Sequence, residues 1–374
     1  MPEPRHLDTS LLRPAVGSVD PYVPGRPLAD LARELGDVPI TKLASNECPY
    51  PPFPGALTAM AEAAANANLY PDPGCWAVRD ALAQHHGIDP ALITVGNGVD
   101  SLIKLLCMAF LDPGDEMVMC WPSFISHRQG AAMQGATWTP APLDDAGAYD
   151  LEALAGAVTS ATKLAVVVSP NNPTGGAVTA ADIERFLDAL PPHVLPVLDE
   201  AYFEYLPPGS HDGVALLREG RSLVVMRTFS KAYGLAGVRV GWMAGPPGLA
   251  GALSPVRNVF DVNAVAQAAA LASVRDAPAE LPARISEVVT ERARMDAGLR
   301  ALGLQPLPSE GNFLYVETGP ERAQAIDAAL TSRGVIVRPT GSFGAPGGLR
   351  ITVGTPAQVD RLLAAMAEVL GEVA

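Results

Sequence analysis

Short apolar runs rich in β-branched residues recur along the first two thirds of the chain, and longer stretches with helical spacing separate them. The apolar runs predict buried strands at Ile93–Val95, Met117–Cys120, Leu164–Ser169, Val194–Leu198, Leu223–Met226 and Val238–Met243. Ala-rich amphipathic stretches predict packing helices at Ala56–Ala67, Val78–His85, Ser101–Phe110 and Ala180–Leu190. Because strands alternate with helices, we expect an α/β fold whose mostly parallel sheet is covered on both faces.

The pattern changes beyond Val262. A long helical segment runs to about Leu302, and a strand at Phe313–Glu317, a helix, two strand-like runs and a closing helix follow it. This order predicts a second, smaller α+β domain. The predicted parts of the chain are an N-terminal arm that packs with the small domain (residues 1–45), a large domain (46–265) and a small C-terminal domain (266–374).

Composition and charge exclude several classes of protein. The chain has 374 residues and a formal net charge of −14, which argues against a nucleic-acid partner because phosphate contacts need clustered basic residues. No apolar run approaches the ~20 residues that cross a bilayer, so a cytoplasmic location is expected. The four cysteines form no C-x-x-C pair, and neither a metal site nor a disulfide framework is predicted.

One of the four lysines is predicted at a ligand-binding sheet edge, where it could act as a nucleophile. Lys231 stands in S-K-A-Y-G-L shortly after the predicted strand Leu223–Met226, at the sheet edge where open α/β folds bind ligands. A lysine in a partly apolar pocket has a lowered pKa, and its neutral amine attacks aldehydes to form a Schiff base. A surface lysine in a glycine-rich turn is the alternative, and the neighbouring motifs favour the nucleophile.

Asp199 ends the run Val194–Leu198 and is therefore predicted at the carboxyl end of another strand. A buried carboxylate needs a cationic partner, and a protonated pyridine nitrogen is one. Keeping that nitrogen protonated makes the ring a better electron sink. Tyr202 is then placed to donate a hydrogen bond to a phenolic oxygen of the same ring. A helix cap or an ordinary salt bridge is the alternative for Asp199.

Two turns also follow predicted strands. The turn N-N-P-T-G-G at Asn171–Gly176 holds one asparagine side chain over the sheet edge. The segment G-N-G-V-D at Gly96–Asp100 precedes a helix that begins near Ser101, so its N–H groups and the helix dipole make a phosphate seat. Arg239 is close enough to Lys231 in sequence to add a charge-assisted bond to that phosphate. A simple capped turn is the alternative for each segment.

The sequence resembles fold-type I pyridoxal 5′-phosphate aminotransferases in the order and spacing of four motifs: G-N-G-V-D, S-P-N-N-P-T-G-G, V-L-D-E-A-Y and T-F-S-K-A-Y-G-L-A-G-V-R-V-G. Within that superfamily it is most similar to histidinol-phosphate aminotransferases, through P-Y-V-P-G-R-P, K-L-A-S-N-E, Y-P-D-P, S-E-G-N-F and L-R-I-T-V-G-T-P. The resemblance implies a large domain with a mostly parallel seven-stranded sheet, pyridoxal 5′-phosphate as cofactor and a homodimer.

The resemblance also implies a role for each matching residue. Lys231 would be the catalytic residue, bonding the cofactor through a Schiff base and moving the proton between substrate Cα and cofactor C4′. Tyr70 would reach the cofactor phosphate from the neighbouring subunit, so that two subunits share each active site. The remaining cofactor ligands would be Asp199 at the pyridine nitrogen, Asn172 and Tyr202 at the phenolic oxygen, Phe124 on the ring, and Val99, Asp100, Thr228, Ser230 and Arg239 at the phosphate.

On the substrate side, the resemblance implies that Arg350 takes the α-carboxylate, a task suited to the rigid guanidinium fork. Arg338, Tyr22 and Asn312 would line the substrate space, and the counterpart of Arg338 in the family helps to bind a side-chain phosphate. The alternatives are a surface ion pair for Arg338, an anchor of the N-terminal arm for Tyr22 and a turn residue for Asn312.

Some positions depart from the family pattern and bear on the substrate. Cys48 and Pro51 stand where the family usually has Asn and Gly, and A-Q-V-D after Pro356 replaces E-E-N. Asp261 replaces a usual asparagine. If Asp261 faces the pocket, its charge would oppose a substrate phosphate and favour a neutral or cationic side chain.

The sequence therefore predicts a pyridoxal 5′-phosphate-dependent aminotransferase that acts on a small amino acid or amino-acid phosphate and a 2-oxo acid. Histidinol phosphate and 2-oxoglutarate are the leading pair, with imidazole-acetol phosphate and glutamate as products. Aromatic amino acids are the alternative substrates. A related decarboxylase or oxidase would use the same lysine and aspartate, and a cofactor-free binding module is a third class.

Overall fold

The computed structural model describes residues 7–17, 19, 21 and 27–373. The strands are β1 (Thr41–Lys42), β2 (Ile93–Gly96), β3 (Glu116–Cys120), β4 (Thr137–Ala141), β5 (Thr162–Val168), β6 (Leu195–Asp199), β7 (Val224–Thr228), β8 (Gly241–Ala244), β9 (Phe313–Glu317), β10 (Val335–Ile336), β11 (Arg338–Pro339) and β12 (Gly348–Thr352). The α-helices are α1 (Pro14–Gly17), α2 (Leu28–Leu35), α3 (Pro54–Ala64), α4 (Trp76–His86), α5 (Val99–Phe110), α6 (Ile125–Gln134), α7 (Leu151–Gly156), α8 (Ala180–Ala189), α9 (Gly213–Arg218), α10 (Leu249–Leu253), α11 (Ala264–Ala301), α12 (Pro320–Ser332) and α13 (Pro356–Glu372).

Seven strands form the central sheet, in the order β2-β8-β7-β6-β5-β3-β4. β8 runs antiparallel to β2 and β7, and the other neighbouring pairs are parallel. β3, β5, β6 and β7 are buried along most of their length, as their continuous apolar sequences require of a sheet covered on both faces. The predicted α/β fold with a mostly parallel seven-stranded sheet is confirmed.

Two strands differ from the sequence prediction for local reasons. β4 was missed because it contains Pro140 and polar residues, which are tolerated at a sheet edge, where β4 lies. β8 begins at Gly241 and not at Val238. The backbone at Arg239 has a φ of 61°, and a residue in that left-handed region cannot continue an extended strand.

The C-terminal part contains a second sheet, in which β11, β12 and β9 run antiparallel. α12 packs against β11 and β12. The predicted long helix is α11, which spans 38 residues despite Pro278 and Pro282, and it packs against α3, α4 and α13. The division of the chain at residues 45 and 265 stays a prediction.

The segment after β1 is tied to the C-terminal part of the chain. β1 pairs in parallel with β10, and the Thr352 N–H donates to the Leu43 carbonyl at 2.9 Å. Residues 44–47 therefore lie beside β12. Across the residues that the structure describes, no helix combines the length and apolar character that a membrane span requires.

Candidate active site

The carboxyl ends of β5, β6 and β7 open onto a cavity of about 420 Å³, a size typical of small-molecule sites, which run from roughly 300 to 1,000 Å³. Strands β11 and β12 and the segment 44–47 close its other side. Most of the residues predicted from the sequence meet there. Those that line the cavity are Lys231, Asp199, Tyr202, Asn172, Phe124, Val99, Asp100, Thr228, Ser230, Arg239, Arg338 and Arg350.

Lys231 lies on the loop after β7 and projects into the cavity. Its Nζ donates to the Ser45 carbonyl at 3.3 Å and lies 5.7 Å from the centre of the Tyr202 ring. Removal from bulk water, with repulsion from Arg350, lowers the pKa of Lys231 to about 7, although the carboxylate of Glu47 opposes this change. Much of the amine is therefore neutral near pH 7 and able to attack an aldehyde.

Asp199 ends β6 and is buried, with 1% of its surface exposed. Its Oδ2 lies 2.9 Å from His127 Nε2, and its Oδ1 accepts from the Ala201 N–H at 3.2 Å. His127 lies on α6 and is buried as well. The sequence interpretation missed this histidine because α6 itself was not predicted. The sequence offered one cue for His127: it lies three residues after Phe124, which was already predicted at the cofactor ring.

The turn after β5 uses its two asparagines differently. Asn171 fixes the turn, since its Nδ2 donates to the Pro122 carbonyl at 3.1 Å and to the Thr174 hydroxyl at 2.8 Å. Asn172 lines the cavity, where its Oδ1 accepts from Arg350 Nη1. The turn thus holds one asparagine over the sheet edge, as the sequence predicted.

The predicted anion seat lies at the start of α5. Gly98 precedes the helix with a φ of 77°, and Val99 and Asp100 begin it at the cavity wall. Arg239 Nη2 approaches to 3.7 Å from Asp100 Oδ2, and its Nη1 lies 3.4 Å from the Ser230 hydroxyl. A Cβ on Gly98 would come within 2.4 Å of Arg239 Nη2, so glycine is what lets the guanidinium reach the helix start.

Two arginines form the opposite wall. Arg338 on β11 and Arg350 on β12 face each other across the strand pair, and their guanidinium carbons lie 5.7 and 5.2 Å from the centre of the Phe343 ring. Arg350 Nη2 also donates to the Ala44 carbonyl at 2.7 Å. Arg338 is 9% exposed, so the alternative of a surface ion pair is wrong. This wall suits anionic groups of a ligand.

Asn46 is a second residue that sequence reasoning missed, although K-L-A-S-N-E had been noted as a motif. Its backbone has a φ of 53°, and its Nδ2 donates to the Tyr202 hydroxyl at 2.8 Å. The Asn46 N–H donates to the Thr352 hydroxyl at 2.9 Å. Asn312 supports the same segment from behind, donating to the Asn46 carbonyl at 3.1 Å. Asn312 is buried, and the described residues that line the cavity do not include it.

Besides Asn312, which was predicted to line the substrate space and does not, two predicted residues lie away from the cavity or outside the description. Tyr70 is 82% exposed, and its ring stacks on Phe260 with centres 4.4 Å apart. A role at the cavity would require a second subunit. Tyr22 lies outside the described residues.

Asp261 does not face the cavity. Its Oδ2 accepts from the Asn97 N–H at 3.0 Å and lies 3.5 Å from the Ser101 hydroxyl, and the described cavity lining does not include it. The condition under which its charge would oppose a substrate phosphate is therefore not met.

The site residues fit pyridoxal 5′-phosphate. Lys231 offers a largely neutral amine for the aldehyde, and the buried carboxylate of Asp199 offers a partner for a protonated ring nitrogen. Gly98 and Arg239 shape a seat that a side chain at position 98 would fill. These three features stand on different strand ends around one cavity.

Comparison with known proteins agrees with this chemistry. The sequence model of the family described as "Aminotransferase class I and II" matches residues 38–366. A histidinol-phosphate aminotransferase from Anaeromyxobacter sp. (strain Fw109-5) is 42% identical over 96% of this chain and 99% of its own length. An aromatic amino acid aminotransferase from Rhodococcus opacus (strain B4) is 44% identical over 95% of both chains.

A solved structure is similar over nearly the whole chain. The histidinol-phosphate aminotransferase from Sinorhizobium meliloti, in complex with pyridoxal 5′-phosphate, superposes with a TM-score of 0.90 at 31% identity, covering 98% of this chain and 99% of the other. The names of the similar proteins divide between the two substrate classes, although they agree on amino-group transfer.

Proposed function

The chain belongs to the class I and II aminotransferase family and uses pyridoxal 5′-phosphate, and from this premise we propose that it transfers the amino group of histidinol phosphate to 2-oxoglutarate. The products would be imidazole-acetol phosphate and glutamate. The first substrate carries a phosphate and the second carries two carboxylates. Both therefore need cationic groups on the substrate side of the cavity.

The observation that carries this proposal is the pair Arg338 and Arg350. The two buried guanidiniums face each other on neighbouring strands, beside one ring, at the cavity wall. Arg350 would take the α-carboxylate of glutamate or 2-oxoglutarate, with Asn172 holding the guanidinium in place. Arg338 would supply the second cationic group, for the side-chain carboxylate or for the phosphate of histidinol phosphate. Tyr22 would lie on the same side.

The other lining residues would hold the cofactor. Bound pyridoxal 5′-phosphate withdraws electrons from the substrate Cα and so acidifies its proton. Asp199, kept in place by His127, would hold a proton on the ring nitrogen. Phe124 would cover the ring, and Asn172 and Tyr202 would address the phenolic oxygen. The phosphate would be held by Val99, Asp100, Thr228, Ser230 and Arg239.

Lys231 would carry the proton. Its amine lies in the cavity with a pKa near 7, so it can accept the proton from substrate Cα and return it at cofactor C4′ with little energetic cost in either direction. The Ser45 carbonyl and the Tyr202 ring lie beside the amine and would limit its orientation when it is free.

We also propose a homodimer in which Tyr70 completes the phosphate seat of the other subunit. Tyr70 is exposed and stacks on Phe260, and further apolar side chains are exposed within ten residues on either side of this pair in the sequence: Leu69, Trp76 and Val259. Such exposed apolar groups are commonly buried in an interface.

Aromatic amino acid transamination is the second candidate. Phe124 and Phe343 line the cavity, and relatives named for aromatic substrates are as similar in sequence as those named for histidinol phosphate. Phenylalanine carries one carboxylate and would engage one arginine. The second guanidinium would then serve only the side-chain carboxylate of 2-oxoglutarate.

The test is a set of single-turnover reactions that follow the visible absorbance of the cofactor. The purified holoenzyme is mixed separately with histidinol phosphate, phenylalanine, tyrosine, arginine and glutamate. We expect histidinol phosphate and glutamate to convert the cofactor to its aminated form with the highest efficiency. Faster conversion by phenylalanine or tyrosine than by histidinol phosphate would overturn the proposed substrate. Release of carbon dioxide would indicate decarboxylation, and formation of peroxide with oxygen uptake would indicate oxidation.

A further inference from the structure

The carboxylate of Asp261 holds the loop that leads into the anion seat. It accepts the Asn97 N–H at 3.0 Å and lies 3.5 Å from the Ser101 hydroxyl. Asn97 is the residue before Gly98, and Ser101 lies in the first turn of α5. Asp261 thus contacts the loop on both sides of Val99 and Asp100, the two residues whose N–H groups begin the helix.

The loop makes a tight turn at Asn97, between two glycines. The Gly98 N–H donates to the Gly96 carbonyl at 2.8 Å, which closes the turn. Glycines have wide conformational freedom, so a bond from outside the turn is needed to fix its direction. Asp261 supplies such a bond at the Asn97 N–H, two residues before Val99.

The hydrogen bond of Asp261 favours phosphate binding by holding the loop, whereas the negative charge of Asp261 opposes phosphate binding. Asp261 and Asp100 place two carboxylates around a helix start that is to receive a phosphate, and Arg239 is the cation that faces Asp100 there. Like charges near a bound anion weaken its binding, and salt screens the effect where the groups are exposed. A neutral acceptor at position 261 would keep the hydrogen bond without this cost.

We propose that Asp261 is a positioning residue for the cofactor phosphate: its carboxylate holds the Asn97 peptide and thereby orients the Val99 and Asp100 N–H groups, while its negative charge weakens phosphate binding. The inference rests on the phosphate seat described under the proposed function. It concerns the strength of cofactor binding, and it does not depend on which amino donor the enzyme uses.

The test compares two cofactor forms in the full-length protein after removal of its cofactor. Pyridoxal 5′-phosphate and pyridoxal, which lacks the phosphate, are titrated separately and followed by visible absorbance. Asp261→Ala and Asp261→Asn both remove the negative charge, but only Asp261→Asn retains an acceptor, and we expect Asp261→Ala to bind pyridoxal 5′-phosphate about 2- to 12-fold more weakly than Asp261→Asn, the value of one hydrogen bond, while the two variants bind pyridoxal equally. Asp261→Asn retains an acceptor, and we expect it to bind pyridoxal 5′-phosphate more tightly than the unmodified protein at low salt, an advantage that fades in roughly 1 M salt.

Asp89→Ala is the matched control, because Asp89 also accepts one backbone N–H, from Ala91 at 2.7 Å, but lies at the other end of β2. It should change neither affinity. Equal binding of pyridoxal 5′-phosphate by Asp261→Ala and Asp261→Asn, or an equal difference between these variants for pyridoxal, would overturn the inference. Arg239→Gln tests the seat itself: if that variant keeps the full preference for the phosphorylated cofactor, the proposed seat is wrong, whereas loss of preference there together with equal binding by the two Asp261 variants rejects the positioning role alone.

Discussion

His127 Nε2 lies 2.9 Å from Asp199 Oδ2, and neither side chain is exposed by more than 3%. The histidine comes from α6 and the aspartate from the end of β6, so the contact joins a helix to the strand end that faces the cavity. Because a buried carboxylate without partners is costly, the histidine gives Asp199 Oδ2 a hydrogen-bond partner and fixes the direction of the carboxylate.

Replacing that partner should destabilise the fold. His127→Leu leaves Asp199 Oδ2 without this hydrogen bond, and we expect the free energy of unfolding to fall by about 1–3 kcal/mol, measured by denaturant unfolding. His193→Leu is the control, since His193 is exposed and contacts the Thr159 carbonyl at 3.2 Å. Equal stability of the two variants would contradict the role given to His127.

Lys231→Ala should abolish turnover and leave the fold intact, because the side chain supplies the proton carrier and not a core contact. Activity should fall by at least about 100-fold, and the absorbance band of the lysine-bound cofactor should disappear. Lys104→Ala removes an exposed lysine of α5 and should be indistinguishable from the unmodified enzyme. Activity of Lys231→Ala close to normal would refute the assignment.

The lowered pKa of Lys231 also predicts how stability depends on pH in the cofactor-free protein. Between about pH 7 and the ordinary value of 10.5, the unfolded lysine holds a proton that the folded lysine has lost. The unfolded state then binds more protons, so stability rises with pH over this range. The unfolding free energy of the unmodified protein minus that of Lys231→Ala should increase from pH 7 to pH 10. A constant difference would contradict the lowered pKa.

Arg338→Gln should separate the substrate classes. Loss of a charge-assisted bond to phosphate should lower kcat/KM for histidinol phosphate by about tenfold or more and change kcat/KM for phenylalanine by much less. Arg322→Gln, at an exposed position of α12, is the matched control. If Arg338→Gln lowers kcat/KM equally for both substrates, Arg338 does not bind the phosphate of histidinol phosphate.

The ion pairs of the buried Arg227 should contribute strongly to the free energy of unfolding. Arg227 Nε donates to Glu200 Oε2 at 2.8 Å, its Nη2 lies 2.7 Å from Asp212 Oδ1, and Arg227 is 2% exposed. Arg227→Met leaves the Glu200 charge buried without its main partner, and we expect a loss of about 3–5 kcal/mol in unfolding free energy. Arg221→Met breaks the more exposed pair with Asp188 and should cost no more than about 1 kcal/mol.

The part of the site that follows from strand ends was predictable from the sequence. Lys231, Asp199 and Asn172 each come after a run of apolar residues, and parallel strands bring such ends to one edge. Their meeting around one cavity is confirmed, and the cofactor that they fit is that of the family. The roles of the individual residues stay predictions.

The parts that were missed depend on contacts between distant segments. The role of His127 depends on the Asp199 carboxylate, which is 72 residues away in sequence. The role of Asn46 depends on its hydrogen bonds with Tyr202 and Thr352. No local periodicity reports such pairings. The start of β8 was misplaced for a different reason, because the positive φ of Arg239 serves the approach of its guanidinium to Gly98 and overrides the strand preference of Val238 and Val240.

The pairing of β1 with β10 has a mechanical consequence for the cavity. Leu43 and Asn46 are hydrogen-bonded to Thr352, and the Ala44 carbonyl accepts a hydrogen bond from Arg350. These bonds join two stretches that lie some 300 residues apart in sequence. Any movement of the joined stretches towards the seven-stranded sheet would carry the Ser45 carbonyl and Arg350 together. The gap between Lys231 and Arg350 would then narrow while the hydrogen bonds between the two stretches stay in place.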